Sequence, residues 1–139
     1  MGSPLIVALD MDQRSALKLA NKIDPDDCKV KVGSQLFTES GPKIIEKLMN
    51  LGFEIFLDLK FHDIPNTVRK AVETAIEMDV WMLNVHSLGG KEMLKAAHEA
   101  KETASIKPYL IGVTMLTSLN NKSIKQVGLD LNIESQVLL

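Results

Sequence analysis

Short apolar runs alternate along the chain with longer segments in which apolar residues recur every three or four positions. Strands are predicted at 4–10, 28–33, 53–60, 80–87 and 109–116. Helices are predicted at 12–23, 41–52, 65–78 and 91–104, the second with Pro42 near its first turn and Gly52 at its end. Because each strand is followed by a helix, the pattern predicts an α/β fold with parallel strands and right-handed crossovers.

The strands are almost continuously apolar, which is typical of a sheet that is covered on both faces. No linker or low-complexity segment interrupts the alternation, so residues 1–139 are predicted to form a single domain. A further helix is predicted to begin near the end of the chain, in NIESQVLL, with Asn132 as its N-cap. We expect that helix to be interrupted, because the chain stops on Leu138 and Leu139 without a C-cap.

Composition narrows the class of protein. The chain has 139 residues, of which 45% are hydrophobic and 24% charged, enough for one domain with a core. A net charge of −2 gives no reason to expect nucleic acid or an anionic membrane as a partner. Cys28 is the only cysteine, which excludes an internal disulfide and fits a reducing compartment. No apolar run reaches the roughly 20 residues that span a bilayer, and we expect a cytoplasmic protein.

Polar residues collect where the predicted strands end. A lone charged residue at such a place is usually solvated or caps a helix. Here, however, five successive strands each place one at the same edge, where α/β folds bind ligands. The pattern therefore predicts a site built from the following residues: Asp10, Lys31, Asp58, Lys60, His86, Thr117 and Ser118.

Two of these charges lie inside apolar strands. Lys31 stands between two valines and Asp58 between two leucines. An unpaired buried charge is costly, so we expect Lys31 and Asp58 to pair. A structural role can explain one such pair. It does not explain Lys60 two residues further on, or Asp63 after that.

The histidines and the cysteine show no pattern of a metal site. His62, His86 and His98 form no cluster at ligand spacing, and no metal is predicted. His86 is interpreted as a core histidine bonded to the backbone, and Cys28 as a packing residue. SLGG at 87–90 is either an anion cradle before a helix or a plain turn.

The segment DLKFHDIPNT, at 58–67, resembles the catalytic block D-x-K-x-x-D-I-x-N-T of the orotidine 5′-phosphate decarboxylase family. Other segments resemble that family in the right order: ALD, VKVG, FTESGPKII, NVHSLGG and VTMLTS. The resemblance is close from 4 to 118 and looser beyond. Related sugar-phosphate decarboxylases keep the Asp-x-Lys-x-x-Asp core without the IPNT continuation, and they are the alternative.

The resemblance implies a (β/α)₈ TIM barrel and a carboxy-lyase that converts orotidine 5′-phosphate to UMP in pyrimidine biosynthesis without metal or cofactor. It implies a tetrad of alternating charge, formed by Lys31, Asp58, Lys60 and Asp63. In this family Asp58 would lie beside the departing carboxylate, and Lys60 would deliver a proton to C6 of the pyrimidine. Lys31 would hold Asp58 and approach the ribose.

The remaining roles are implied in the same way. Asp10 would bind ribose hydroxyls, and Thr117 and Ser118 would face the pyrimidine. Asp63 and Thr67 would reach the other subunit's site, which implies a homodimer. His86 matches a family position without an assigned step.

The chain departs from the family in length. A (β/α)₈ barrel typically needs about 250 residues, and only about the first five β/α units are predicted here. The family's phosphate-binding segment, with its arginine, has no counterpart in the sequence. We therefore expect the N-terminal portion of a decarboxylase. The alternative is a catalytically inactive half-barrel that self-associates through its open edges.

Overall fold

The computed structural model of the protein describes residues 4–130 and 132–138. Strands and helices alternate along these residues, as the hydrophobic pattern predicts. The strands are β1 (Ile6–Ala8), β2 (Lys29–Gly33), β3 (Ile55–Phe61), β4 (Met82–His86) and β5 (Tyr109–Val113). The helices are α1 (Gln13–Ala20), α2 (Ser34–Ser40), α3 (Lys43–Met49), α4 (Pro65–Glu77), α5 (Lys91–Glu102), α6 (Asn121–Gln126) and α7 (Ile133–Val137), with a 3₁₀ turn at Ser87–Gly89.

The five strands form one parallel sheet in the order β1-β2-β3-β4-β5, so every strand pairs with its neighbour in sequence. This order is that of a (β/α) barrel wall, in which each crossover advances by one strand. The α/β class with parallel strands is thereby confirmed. Because all strands run the same way, their carboxyl ends meet at one rim, and this rim carries the polar residues singled out above.

Helices pack on the outer side of the sheet through narrow apolar faces. Helix α4 buries Val68, Val72 and Ala75, which are spaced by four and three residues. Helix α5 faces α4 with Met93 and three buried alanines, so the two helices lie close together. Burying each valine or larger apolar side chain contributes roughly 1.5–3 kcal/mol. This core holds β3 and β4, the strands that carry most of the candidate site.

Helix starts follow the local signals. Asp12 is the N-cap of α1 and accepts a hydrogen bond from Ser15 N at 3.0 Å. Asn132 caps α7 as expected, through a 2.8 Å bond from Ser135 N. Leu139, on which the expected interruption of that helix depends, lies outside the described residues.

Two short helices were not predicted. Helix α2 buries only Leu36 and has no side-chain N-cap, so its sequence carries no helical period. Helix α6 begins with a capping box in which Asn120 and Ser123 bond each other's backbone N–H groups. An N-cap residue followed three positions later by a second side chain able to bond the backbone is a helix-start signal that the sequence already contains. None of the helices within 4–130 and 132–138 combines the length and hydropathy of a membrane-spanning segment.

Candidate active site

The carboxyl ends of β1, β2 and β3 bring four charged side chains into one continuous array. Lys31 Nζ lies 3.0 Å from Asp58 Oδ2 and 3.1 Å from Asp10 Oδ1. Lys60 Nζ lies 2.6 Å from Asp58 Oδ1. The order is Asp10, Lys31, Asp58, Lys60, with signs that alternate. The expected pairing of Lys31 with Asp58 is therefore present in the structure.

Asp58 is the centre of this array and is buried, with 8% of its surface exposed. Its carboxylate accepts three hydrogen bonds, from Lys31 Nζ, Lys60 Nζ and Asn84 Nδ2. Desolvation is the largest single influence and raises the pKa of Asp58. The hydrogen bonds from Lys60, Asn84 and Lys31, with the charge of Lys31, outweigh it, so the pKa is lowered overall. The carboxylate stays ionised.

Lys31 is affected in the complementary direction. Desolvation lowers its pKa and is the largest influence, but hydrogen bonds to Asp58 and Asp10, together with their charges, raise it overall. The ammonium is therefore stabilised inside a strand that otherwise buries Val30 and Val32. Asp10 remains exposed at the outer end of the array. Two fixed ammonium groups thus flank one fixed carboxylate.

Lys60 reaches Asp58 through an irregular strand. Its φ angle is +51°, in the left-handed region, which costs about 1–2 kcal/mol for a residue with a Cβ. The pairing of β3 with β4 passes from Leu57 opposite Leu83 to Phe61 opposite Val85, so four steps of β3 match two of β4. In a regular strand, residues two apart share a face, so Asp58 and Lys60 would project together. That account is incomplete here, because a bulge interrupts the segment between Leu57 and Phe61, which contains both residues.

Asn84 of β4 belongs to the site and was missed in the sequence. It is 2% exposed, and its Oδ1 accepts from Lys60 N at 2.7 Å while its Nδ2 donates to Asp58 Oδ1 at 2.6 Å. The available signal was an asparagine in the middle of the run VWMLNVHS. A buried amide needs partners, just as a buried charge does.

Asp63 and Thr67 lie beyond β3 and do not join the array. Both are exposed, and Asp63 Oδ1 accepts from Ile64 N at 2.6 Å. Among the described residues, no ion pair links Asp63 to Lys31 or Lys60. Thr67 lies in the first turn of α4. The structure of one chain thus brings together three of the four tetrad residues.

Thr117 and Ser118 form an exposed turn after β5, and no hydrogen bond joins them to the charged array. His86 is half-buried at the end of β4. Its Nδ1 accepts from Leu88 N at 3.4 Å, the backbone partner expected for it, and its ring stacks on His62 at 5.0 Å. Desolvation, followed by the charges of His62 and Lys60, lowers the pKa of His86.

The other candidate groups are accounted for by packing or solvent. Cys28 is buried, and desolvation raises the pKa of its thiol, which disfavours a nucleophilic role. His98 is exposed on α5. Within the ranges that the structure describes, no three His, Cys, Asp or Glu side chains lie close enough to hold a metal ion. A cleft lined by Pro42, Glu46 and Asp79, among others, includes no residue of the charged array.

Comparison with known proteins identifies the family. Residues 3–138 match the family model described as Orotidine 5'-phosphate decarboxylase / HUMPS family. The chain is 52% identical over 134 residues to an orotidine 5'-phosphate decarboxylase of Saccharophagus degradans, covering 96% of this chain and 56% of that protein. It is 54% identical over 139 residues to the protein of the same name from Pseudomonas putida (strain GB-1), covering 98% and 59% respectively.

Solved structures agree. The crystal structure of orotidine 5'-phosphate decarboxylase from Lactobacillus acidophilus superimposes with a TM-score of 0.89 at 38% identity, over 98% of this chain and 64% of that one. The Methanocaldococcus jannaschii enzyme, complexed with inhibitor BMP, gives a TM-score of 0.72 at 28% identity, over 82% and 53%. The chain spans less than two thirds of the length of these relatives. It belongs to the orotidine 5'-phosphate decarboxylase / HUMPS family.

Proposed function

We propose that residues 1–139 form the N-terminal part of a (β/α)₈ barrel that decarboxylates orotidine 5′-phosphate to UMP. The observation that carries this proposal is the array of Lys31, Asp58 and Lys60, in which one buried carboxylate holds two ammonium groups. The proposed setting is pyrimidine biosynthesis in the cytoplasm, where the single cysteine stays reduced.

The chemistry explains why such an array suits the reaction. The bond from C6 of the pyrimidine to its carboxylate breaks, CO₂ leaves, and the electron pair remains on C6. Lys60 stabilises this developing negative charge and then transfers its proton to C6, giving UMP. Asp58 lies beside the departing carboxylate, where its own negative charge disfavours the bound substrate. Lys31 holds Asp58 in place, so the ammonium groups need no rearrangement during the reaction.

The other candidate residues bind substrate in this proposal. Asp10, at the exposed end of the array and bonded to Lys31, binds ribose hydroxyls. Thr117 and Ser118 lie on the turn after β5, at the same rim, and contact the pyrimidine. No metal or cofactor takes part, because the electrostatic array supplies the stabilisation.

Lys60→Ala tests the central role. Both proton transfer and charge stabilisation are lost, so we expect turnover to fall at least about a thousand-fold, whereas UMP still binds. Release of labelled CO₂ from carboxyl-labelled orotidine 5′-phosphate measures turnover, and calorimetry measures UMP binding. Lys70→Ala, which removes a side chain that is 72% exposed on α4, is the matched control. Activity of Lys60→Ala within tenfold of wild type contradicts the role of Lys60.

We further propose a homodimer in which Asp63 and Thr67 reach the partner's site and complete the tetrad. Its support is their exposure, together with Ile64, an apolar side chain that is 67% exposed between them. Ile64→Asp should dissociate the dimer, as measured by sedimentation velocity, whereas Ile106→Asp, at another exposed isoleucine, should not. A wild-type protein that sediments as a monomer contradicts the proposal.

Two alternatives remain to be tested beside it. A sugar-phosphate decarboxylase of the same superfamily would release CO₂ from a phosphorylated sugar acid and not from orotidine 5′-phosphate; the IPNT continuation after Asp63 favours the nucleotide. A catalytically inactive half-barrel would show an intact mass of 15.4 kDa, self-associate, and release CO₂ from neither substrate.

A further inference from the structure

We propose that Asn84 is a positioning residue for the reaction: its side chain sets both the carboxylate of Asp58 and the backbone from which Lys60 extends. The effect of Asn84 on the reaction rests on the proposed function. Its effect on the geometry of Asp58 and Lys60 does not, and different measurements test the two effects.

Asn84 stands out by its burial. Among the described residues, only Asp58 and Asn84 are buried polar or charged side chains, and Asn84 is the deeper of the two. Neither its oxygen nor its nitrogen is left without a partner. The two partners also determine which way the amide points. Lys60 N–H can only donate and the Asp58 carboxylate can only accept, so a flipped amide would lose both bonds.

The bond to Lys60 N replaces a lost backbone contact. Around the bulge, β3 has two more residues than β4, and the regular ladder resumes only at Phe61 opposite Val85. Lys60 N–H lies inside this gap and bonds the Asn84 side chain instead. A left-handed conformation at a lysine persists only where its surroundings hold it. Asn84 supplies one such restraint, and it thereby determines the direction in which the Lys60 side chain leaves the strand.

The bond to Asp58 acts on the other end of the same ion pair. Asp58 Oδ1 accepts from both Asn84 Nδ2 and Lys60 Nζ, while Oδ2 accepts from Lys31 Nζ. Among the described residues, the other donors to this carboxylate are two lysine side chains, whose ammonium groups rotate freely. With Asn84, the carboxylate also has a rigid donor from the adjacent strand. The buried Asn84 amide thus restrains both members of one ion pair, the carboxylate of Asp58 and the backbone that carries the Lys60 side chain.

Two variants separate the two hydrogen bonds. Asn84→Leu fills a similar volume and removes both bonds. Asn84→Asp keeps the shape and an acceptor for Lys60 N–H, but at neutral pH it places a carboxylate against Asp58. Val85→Ala, at the next buried position of β4, is the control for loss of packing without a change at Asp58 or Lys60. The melting temperature of each variant shows that it is folded.

Nuclear magnetic resonance of the labelled chain supplies the readouts. The titration of the Asp58 side-chain carbon follows its carboxylate, and hydrogen exchange of the Lys60 amide follows its bond to Asn84. We expect Asn84→Leu to raise the Asp58 titration midpoint and to speed Lys60 exchange about tenfold. Asn84→Asp should raise the midpoint while Lys60 exchange stays slow. Val85→Ala should change neither.

The outcomes are distinguishable. If Asn84→Asp leaves the Asp58 midpoint unchanged, or if Val85→Ala moves it equally, Asn84 acts only through packing and the inference is overturned, even if Asn84→Leu does not fold. In the CO₂ release assay, a positioning role predicts that the folded Asn84 variants have a kcat at least about tenfold below wild type, with KM changed less than about threefold. An unchanged kcat in these variants also overturns the inference. If the wild-type protein releases no CO₂ but the resonance results are as expected, the proposed function fails and the positioning of Asp58 and Lys60 by Asn84 stands.

Discussion

Two lysines of one strand show what separates a structural charge from one suited to chemistry. Lys29 and Lys31 lie two residues apart on β2, and each pairs with a carboxylate of the segment that contains β3. Lys29 pairs with Glu54 at the amino-terminal rim, and its Nζ lies 4.8 Å from the centroid of the Trp81 ring. Lys31 pairs with Asp58 at the carboxyl-terminal rim.

The difference lies in how the partner is shared. The Glu54 side chain is 54% exposed and, among the described residues, pairs with Lys29 alone, so water reaches this carboxylate. The Asp58 side chain is 10% exposed and is shared by Lys31, Lys60 and Asn84. One buried carboxylate that is shared by two ammonium groups holds both of them in fixed positions, and its single negative charge does not neutralise the two positive ones. In barrels, the carboxyl-terminal rim carries chemistry and the opposite rim stability, and the proposed function assigns Lys31 to the first and Lys29 to the second.

Among the effects that compare the two rims, the largest separates Lys31 from Lys29 by activity. Lys31→Met removes an ammonium that holds Asp58, so we expect CO₂ release to fall at least about a hundred-fold. Lys29→Met removes the same charge from the same strand and should leave the rate within about threefold of wild type. Equal losses in the two variants would contradict the assignment of chemistry to one rim.

A second effect is the pH dependence of stability. The pKa of Asp58 is lowered in the folded protein, so its ionised form favours folding. This contribution is complete above the ordinary value of 3.8 and is lost as the pH falls from there through the lowered value. Urea unfolding should show wild type more stable than Asp58→Asn at pH 6, with the gap narrowing below pH 4.

Glu54→Gln, at the other rim, is the control for Asp58→Asn. At pH 6 it should destabilise the protein less than Asp58→Asn does, because Glu54 is half-exposed and has one cationic partner. A gap between wild type and Asp58→Asn that stays constant down to the acid transition would show that the Asp58 carboxylate is not stabilised by its neighbours.

The smallest expected effect concerns Lys29 and Trp81. Their cation–π contact and the ion pair with Glu54 together should contribute about 0.5–1 kcal/mol to the free energy of unfolding. A double-mutant cycle of Lys29→Met and Trp81→Leu, followed by urea unfolding, isolates the coupling between the two side chains. A coupling of zero would leave the ion pair alone as the role of Lys29.

Much of the fold was predictable, because burial imposes a repeat on the sequence. All five strands and four of the seven helices follow from apolar runs and helical spacing, and the start of α7 follows from Asn132 as its cap. Helices α2 and α6 escaped prediction because they are short and each buries one side chain, Leu36 and Ile124 respectively. A single buried residue produces no period.

The candidate site, too, was predictable from the sequence only in part. The embedded charges of Lys31 and Asp58 predicted their own pairing, since neither could be buried alone. Lys60 was predicted to join them, but the bulge that lets it do so was not visible in the sequence. Asn84 was passed over, although an amide inside an apolar strand is also a group in need of partners.

The sequence by itself therefore determined the alternation of strands and helices, the rim at which polar residues gather, and the need for opposite charges to meet. These follow from burial and from the cost of an unpaired charge, which act on each residue locally. The tertiary structure alone decided the left-handed conformation of Lys60 and the two hydrogen bonds of Asn84. Each of these depends on the register between two strands about 25 residues apart, and that register is set by packing across the whole sheet.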